Sequence, residues 1–124
     1  MAERFDAIVV GAGPAGSAAA LALAREKVST LLVERGRAAG VKNMFGGRIY
    51  AWPLFDLIPG WEKDCPVERF VTREHMVFLS GEASLALEFE SPHLASGKAA
   101  SFTALRPKFD EWLAKKAEAA GATL

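Results

Sequence analysis

Apolar positions follow different rhythms in different parts of this chain. Over residues 5–10 and 29–33 they are nearly continuous and rich in branched side chains, as in short strands buried on both faces of a parallel sheet. Between them, residues 14–26 are mostly Ala and Leu, which favour helix and pack closely. Strand, helix and strand in that order predict a βαβ unit. From Val67 to Glu90 the period becomes two, and segments 67–72, 75–79 and 84–90 read as strands. In the last of these, Leu85, Leu87 and Phe89 share one face while Glu88 and Glu90 share the other. Ser80-Gly81-Glu82 supplies a tight turn, so the last two strands should form a hairpin. One wet face separates this region from the buried parallel strands and predicts an excursion into a second layer.

The remaining segments read more simply. Residues 53–58 predict a short helix stopped by Pro59-Gly60, with Trp52, Phe55 and Trp61 packing as core. Residues 91–98 form a polar loop and 102–105 a short strand. Arg106-Pro107 then opens a helix with Phe109, Trp112, Leu113, Ala117 and Ala120 on its apolar side. Lys108, Glu111, Lys115 and Glu118 take the wet side, where Glu111 and Lys115 can pair at i,i+4. Gly121 caps this helix, and Ala122-Thr123-Leu124 begins what should be another strand.

Composition narrows the classes of function. At 124 residues, 51% hydrophobic and 24% charged, the chain has the makings of about one domain. Fifteen basic and fifteen acidic side chains cancel, giving no electrostatic reason to bind nucleic acid or an anionic membrane. Cys65 is the one cysteine, which excludes a disulfide, a dithiol or a cysteine-ligated cluster within the chain and favours a reducing cytoplasm. His75 and His93 have no ligand-spaced partners, so no metal site is expected. Residues 12–24 are too short and glycine-rich to span a bilayer, which takes about 20 residues, and Glu3 and Asp6 are wrong for a signal leader.

The first unit carries chemistry. Gly11, Gly13 and Gly16 follow the first strand in G-x-G-x-x-G spacing. Gly11 permits a tight turn, Gly13 leaves room for a pyrophosphate against the backbone, and Gly16 lets the helix approach the sheet. Pro14 suits the first helical position, and the N–H groups around Ala15 and Gly16 face outward at the positive end of the helix dipole. Glu34, 18 positions after Gly16, ends the second strand where an acid should accept hydrogen bonds from an adenosine ribose. These features predict a dinucleotide site, the glycine motif serving FAD and NAD alike. A 2′-phosphate would be repelled by Glu34. Loop 38–47 combines Lys42, Asn43, Gly46 and Gly47 and could wrap a flat cofactor by backbone contact. No acid, base or nucleophile in the chain reads as catalytic.

Three segments carry a family resemblance: DAIVVGAGPAGSAAALALA with its Glu34-Arg35-Gly36 ending, GVKNMFGGRIY over residues 40–50, and LRPKFDEWLAKKAEAAGA over residues 105–122. Through them the chain resembles the N-terminal part of FAD-dependent oxidoreductases of the p-hydroxybenzoate hydroxylase-like class. More narrowly it is similar to the FixC and electron-transfer flavoprotein:quinone oxidoreductase family, near the geranylgeranyl reductases. The resemblance implies FAD as cofactor, with Glu34 on the ribose, Arg35 near the adenine end, Asn43, Gly46 and Gly47 in a loop toward the flavin, and Arg106 reaching the cofactor from the start of its helix. It implies an electron-transfer flavoprotein as one partner and a quinone or ferredoxin-like protein as the other. The location expected is cytoplasmic, including a peripheral position at the inner face of the membrane.

The expected fold class is α/β: a Rossmann-like FAD-binding βαβ unit with an antiparallel strand excursion. Residues 1–50 and 101–124 are assigned to the cofactor domain and 51–100 to the excursion. Members of that family are several times longer, so the chain is expected to be a fragment, a truncated product or one piece of a split protein with a companion chain. Turnover by these 124 residues alone is not expected. Alternative readings are a flavin monooxygenase or prenyl-chain reductase fragment, or a non-catalytic nucleotide-binding fragment.

Overall fold

The computed structural model describes residues 3–124, and it builds the βαβ unit first. Strand β1 (Ala7–Val10) pairs in parallel with β2 (Thr30–Val33), Ala7 opposite Thr30 and Val10 opposite Val33. Helix α1 (Pro14–Arg25) connects them and buries Ser17, Ala20, Leu21 and Ala24. The ladder continues to Gly11, whose N–H donates to the Val33 carbonyl, so the glycine turn starts directly on the sheet. A third parallel position exists on the other edge of β2. Thr123 bridges Leu31, with Leu32 N–H donating to the Thr123 carbonyl and Thr123 N–H to that of Thr30. The strand expected after Gly121 is thus present as a single bridge.

A second sheet is antiparallel. Strand β3 (Gly46–Tyr50) and β4 (Arg69–Phe70) flank a later strand, β7 (Ser101–Leu105). Gly46 and Gly47, expected in a loop, open β3 opposite Leu105 and Ala104. The strand expected over residues 67–72 shortens to two residues, although Glu68 N–H and Val71 N–H still donate to the Thr103 and Ser101 carbonyls on β7. Helix α2 (Trp52–Leu57) follows β3. It turns Leu54 inward, which puts Trp52, two residues earlier and about 200° away on a helix, on the outside. Trp52 is therefore not core, contrary to expectation. Trp61 is, with Phe55 edge-on at 5.7 Å and Phe102 stacked at 5.2 Å.

The hairpin of β5 (Arg73–Leu79) and β6 (Ser84–Glu90) forms as expected around residues 80–83. Its two faces separate as expected too, but the apolar one, with Met76, Phe78, Leu85, Leu87 and Phe89, is exposed like the charged one. Arg48 on β3 ties the hairpin back through an ion pair with Glu74. The polar loop before β7 contains two short 3-10 turns, Pro92–Ala95 and Gly97–Ala99.

Helix α3 (Arg106–Ala119) packs along α1 and buries Phe109, Asp110, Leu113, Ala114 and Ala117. Glu111 and Lys115 pair on its wet side at 2.7 Å. One contiguous core runs from Ala12, Leu21 and Leu32 through Phe102 to Phe109 and Leu113, so the βαβ unit and the antiparallel sheet share it.

Candidate functional site

The glycine turn is built as its spacing requires. Gly11 has φ +99°, a conformation that L side chains rarely adopt. A Cβ on Gly16 would fall far inside contact distance of the Gly11 carbonyl oxygen and 3.4 Å from Val9 Cγ1. Gly16 is thus what brings α1 down onto the end of β1. Gly13 differs. Its backbone is extended, and a Cβ there would meet no atom within 4 Å. The space in front of it is open. Pro14 begins the helix, no side chain caps it, and no acidic residue occupies its first turn. Ser17, not singled out by sequence, is fully buried and donates its hydroxyl to the Ala12 carbonyl, bracing the turn from behind.

Glu34 grips the rim of this hollow. One carboxylate oxygen accepts from the Ala12 N–H at 2.9 Å and the other from the Gly36 N–H at 2.6 Å. The Gly36 and Ala12 N–H groups, with Lys42 and Arg35 nearby, hold its carboxyl below the ordinary range, so it is ionised at neutral pH. An ionised carboxylate offers about four acceptor sites, and two remain free. An open cleft of about 340 Å³ lies here, lined by Val10, Gly11, Val33, Glu34 and Arg35. It sits outside the carboxyl ends of two parallel strands, where ligands of open α/β sheets bind.

A second cluster brings together residues expected at the other end of the cofactor. Arg106, first residue of α3, forms a two-pronged pair with Asp110, Nε to Oδ1 at 2.8 Å and a terminal nitrogen to Oδ2 at 3.0 Å. The Asn43 amide donates to the same Asp110 Oδ2 at 2.9 Å, across 67 residues of sequence. Gly40 has φ +78°, and a Cβ on it would lie 2.8 Å from Asp110 Cβ. The Arg106 N–H donates to the Phe45 carbonyl. Loop 40–45 is therefore seated on the start of α3. Gly46 and Gly47 stand apart: a Cβ on Gly46 would lie 3.2 Å from Leu105 Cδ2, and one on Gly47 would strike the Phe45 ring. Their lack of side chains is accounted for by packing.

Asp110 escaped the sequence reading, although a signal existed. Positions 106, 109, 110, 113, 114 and 117 form the i, i+3, i+4, i+7 stripe of a helix, and an acid on such a stripe needs a partner. The Cys65 thiol is by contrast pushed up to about 12, away from the thiolate form, chiefly by burial and further by the Asp64 charge. Among the described residues no group of His, Cys, Asp and Glu could hold a metal ion, and no helix is long and apolar enough to cross a membrane.

Comparison with known proteins decides between the two dinucleotides. The family model for FAD dependent oxidoreductases matches residues 6–88. The chain belongs to that family. FAD is accordingly the cofactor. Over 122 residues the chain is 48% identical to the protein FixC of Salmonella typhi, covering 98% of this chain and 28% of the relative. It is 51% identical over 120 residues to the probable electron transfer flavoprotein-quinone oxidoreductase YdiS of Escherichia coli K12, covering 97% and 28%. The chain thus spans little more than a quarter of the length of these relatives. Among solved structures, a geranylgeranyl bacteriochlorophyll reductase-like protein of Thermoplasma acidophilum superposes with TM-score 0.69 at 26% identity, over 96% of this chain and 29% of that one. A myxobacterial FAD-dependent halogenase superposes with TM-score 0.72 at 23% identity, over 98% and 28%, a likeness of fold.

Proposed function

We propose that this chain is the FAD-binding part of an oxidoreductase that passes electrons between an electron-transfer flavoprotein and a quinone or ferredoxin-like acceptor. The observation that carries the reading is the open space at Gly13 beside an ionised Glu34. That space fits a pyrophosphate, which the N–H groups of Ala15 and Gly16 would hold as Pro14 presets the turn. Gly11 and Gly16 shape the hollow. The two free acceptor sites of Glu34 suit the hydroxyls of the adenosine ribose, and Arg35 lines the cleft toward the adenine. Asn43, Gly46 and Gly47 would face the flavin end, and Arg106 would reach the cofactor from the start of α3. When bound, FAD supplies the electron chemistry through its isoalloxazine ring.

In this reading, residues 1–50 and 101–124 belong to the cofactor domain, and 51–100 reach toward the substrate domain. The 51% identity to a probable electron transfer flavoprotein-quinone oxidoreductase supports the choice of partners. A cytoplasmic setting, with a quinone met at the inner face of the membrane, follows from those partners.

The test mixes the purified, FAD-loaded protein anaerobically with reduced electron-transfer flavoprotein, NADH or NADPH and follows the visible flavin absorbance. Bleaching by the flavoprotein alone is expected. Bleaching by a nicotinamide alone would replace this reading with a monooxygenase. A second reading, reduction of a prenyl chain, is favoured by the 26% identity to the Thermoplasma protein. It predicts that a prenylated substrate, and not a quinone, reoxidises the bleached flavin.

A further inference from the structure

The cluster around Asp110 does more than close a helix onto a loop. Asp110 is completely buried, and a buried carboxylate is costly unless it is paired and hydrogen-bonded. Here it takes three donors: two prongs of Arg106 and the side-chain amide of Asn43. Each partner is thereby oriented. The guanidinium has five N–H donors in a rigid plane, so Asp110 consumes one edge and leaves the other edge fixed in direction. Arg106 is 29% exposed at its side chain, leaving that edge within reach of a ligand. Asn43 turns its NH₂ toward Asp110 Oδ2, which presents the amide's carbonyl oxygen on the opposite side. A fixed cation and a fixed acceptor are thus held by one carboxylate. The fit at Gly40 and the Arg106–Phe45 backbone bond keep the loop in register with the helix.

We infer that Asp110 is a positioning residue for FAD, presetting Arg106 and Asn43 as a donor–acceptor pair that meets the polar groups of the cofactor. The inference rests on the reading that Asn43 and Arg106 face the cofactor, and it assigns Asp110 no contact of its own. Preorganisation of this kind lowers the ordering cost of binding, so its loss should appear first in affinity.

Three variants of the intact protein test this: Asp110→Asn, Arg106→Gln and the double variant, each titrated with FAD by flavin fluorescence. Asp110→Asn keeps the shape and removes the charge that fixes the fork. It should raise the FAD dissociation constant by about 10-fold to 100-fold, the worth of a charge-assisted hydrogen bond. If Asp110 acts through Arg106, the double variant should bind no worse than Arg106→Gln by more than about 3-fold, since coupled residues are not additive. Losses that multiply in full would reduce Asp110 to a structural part and overturn the inference. Should Asp110→Asn fail to fold, Arg106→Lys and Asn43→Ala, both at partly exposed positions, give the same cycle through their shared carboxylate. Non-additive losses support the inference there and full multiplication overturns it. Gly13→Val separates this from the reading beneath it. If that variant binds FAD like the parent, the cofactor site itself is wrongly placed; if it alone loses FAD, only the role of Asp110 falls.

Discussion

At Gly13 an added side chain would meet no protein atom, and at Gly16 it would collide with the carbonyl of Gly11. The two glycines therefore answer to different pressures, and substitution should separate them. Gly13→Val is expected to leave the melting temperature within about 2 °C of the parent, as for a surface change, while abolishing FAD uptake. Gly16→Ala should cost about 1–3 kcal/mol by overpacking, seen as a lower urea midpoint. A stable Gly16→Ala protein, or a Gly13→Val protein that retains FAD, would contradict the geometry of the turn. Glu34 adds a pH dependence. Its folded carboxyl lies below the ordinary value of 4.5, chiefly through the Gly36 and Ala12 N–H groups. Its stabilising effect is thus complete above that value and disappears as the pH falls through the lowered folded one. The gap in melting temperature between parent and Glu34→Gln should be constant near neutrality and close only on acidification below 4.5. A gap that opened toward alkaline pH would have the wrong sign.

Among the elements, α3 shows how the end of a helix sets the path of the next stretch of chain. Gly121, at φ +112°, sends its N–H to the Glu118 carbonyl, and the Ala122 N–H reaches back to that of Ala117, the two bonds of a Schellman cap. The cap delivers Thr123 to the open edge of β2. Helix α1 ends the same way with Lys27 at φ +61°, close to the left-handed helical region a side chain can tolerate. Gly121 lies farther out. Gly121→Ala should therefore destabilise by about 1–2 kcal/mol and weaken amide-exchange protection at Leu32, whose N–H donates to Thr123. Unchanged protection at Leu32 would mean that the cap does not hold the bridge. The β5–β6 hairpin makes the opposite point: its pairing is local and complete, yet nothing among the described residues covers its apolar face.

For the molecule as a whole, the decisive feature is that the βαβ unit and the antiparallel sheet share one core. Trp61 is its centre on the sheet side, 1% exposed and against Phe55, Phe70 and Phe102. Trp61→Ala should cost about 3–5 kcal/mol, the usual penalty for emptying a large aromatic site, and should shift a single cooperative urea transition. A separate early transition for the antiparallel sheet would show that the two parts are independent.

Much of this was legible in sequence because it is local. The strand, the glycine turn, α1 and β2 follow from periodicity and from where side chains are missing, and Glu34 stands at a distance that the βαβ unit itself fixes. The hairpin and α3 were legible for the same reason, since their patterns repeat within a few residues. Tertiary structure alone decided the features whose partners lie far apart in the chain. Asp110 became a buried hub only when Asn43 and Gly40 arrived at α3, and Gly46 and Gly47 became strand residues only when β7 lay beside them. Trp52 stayed outside because Leu54 took the inward side of a six-residue helix. Hydrophobic period records which face of an element is apolar; which neighbour covers that face, and which polar group is buried with it, is settled by packing.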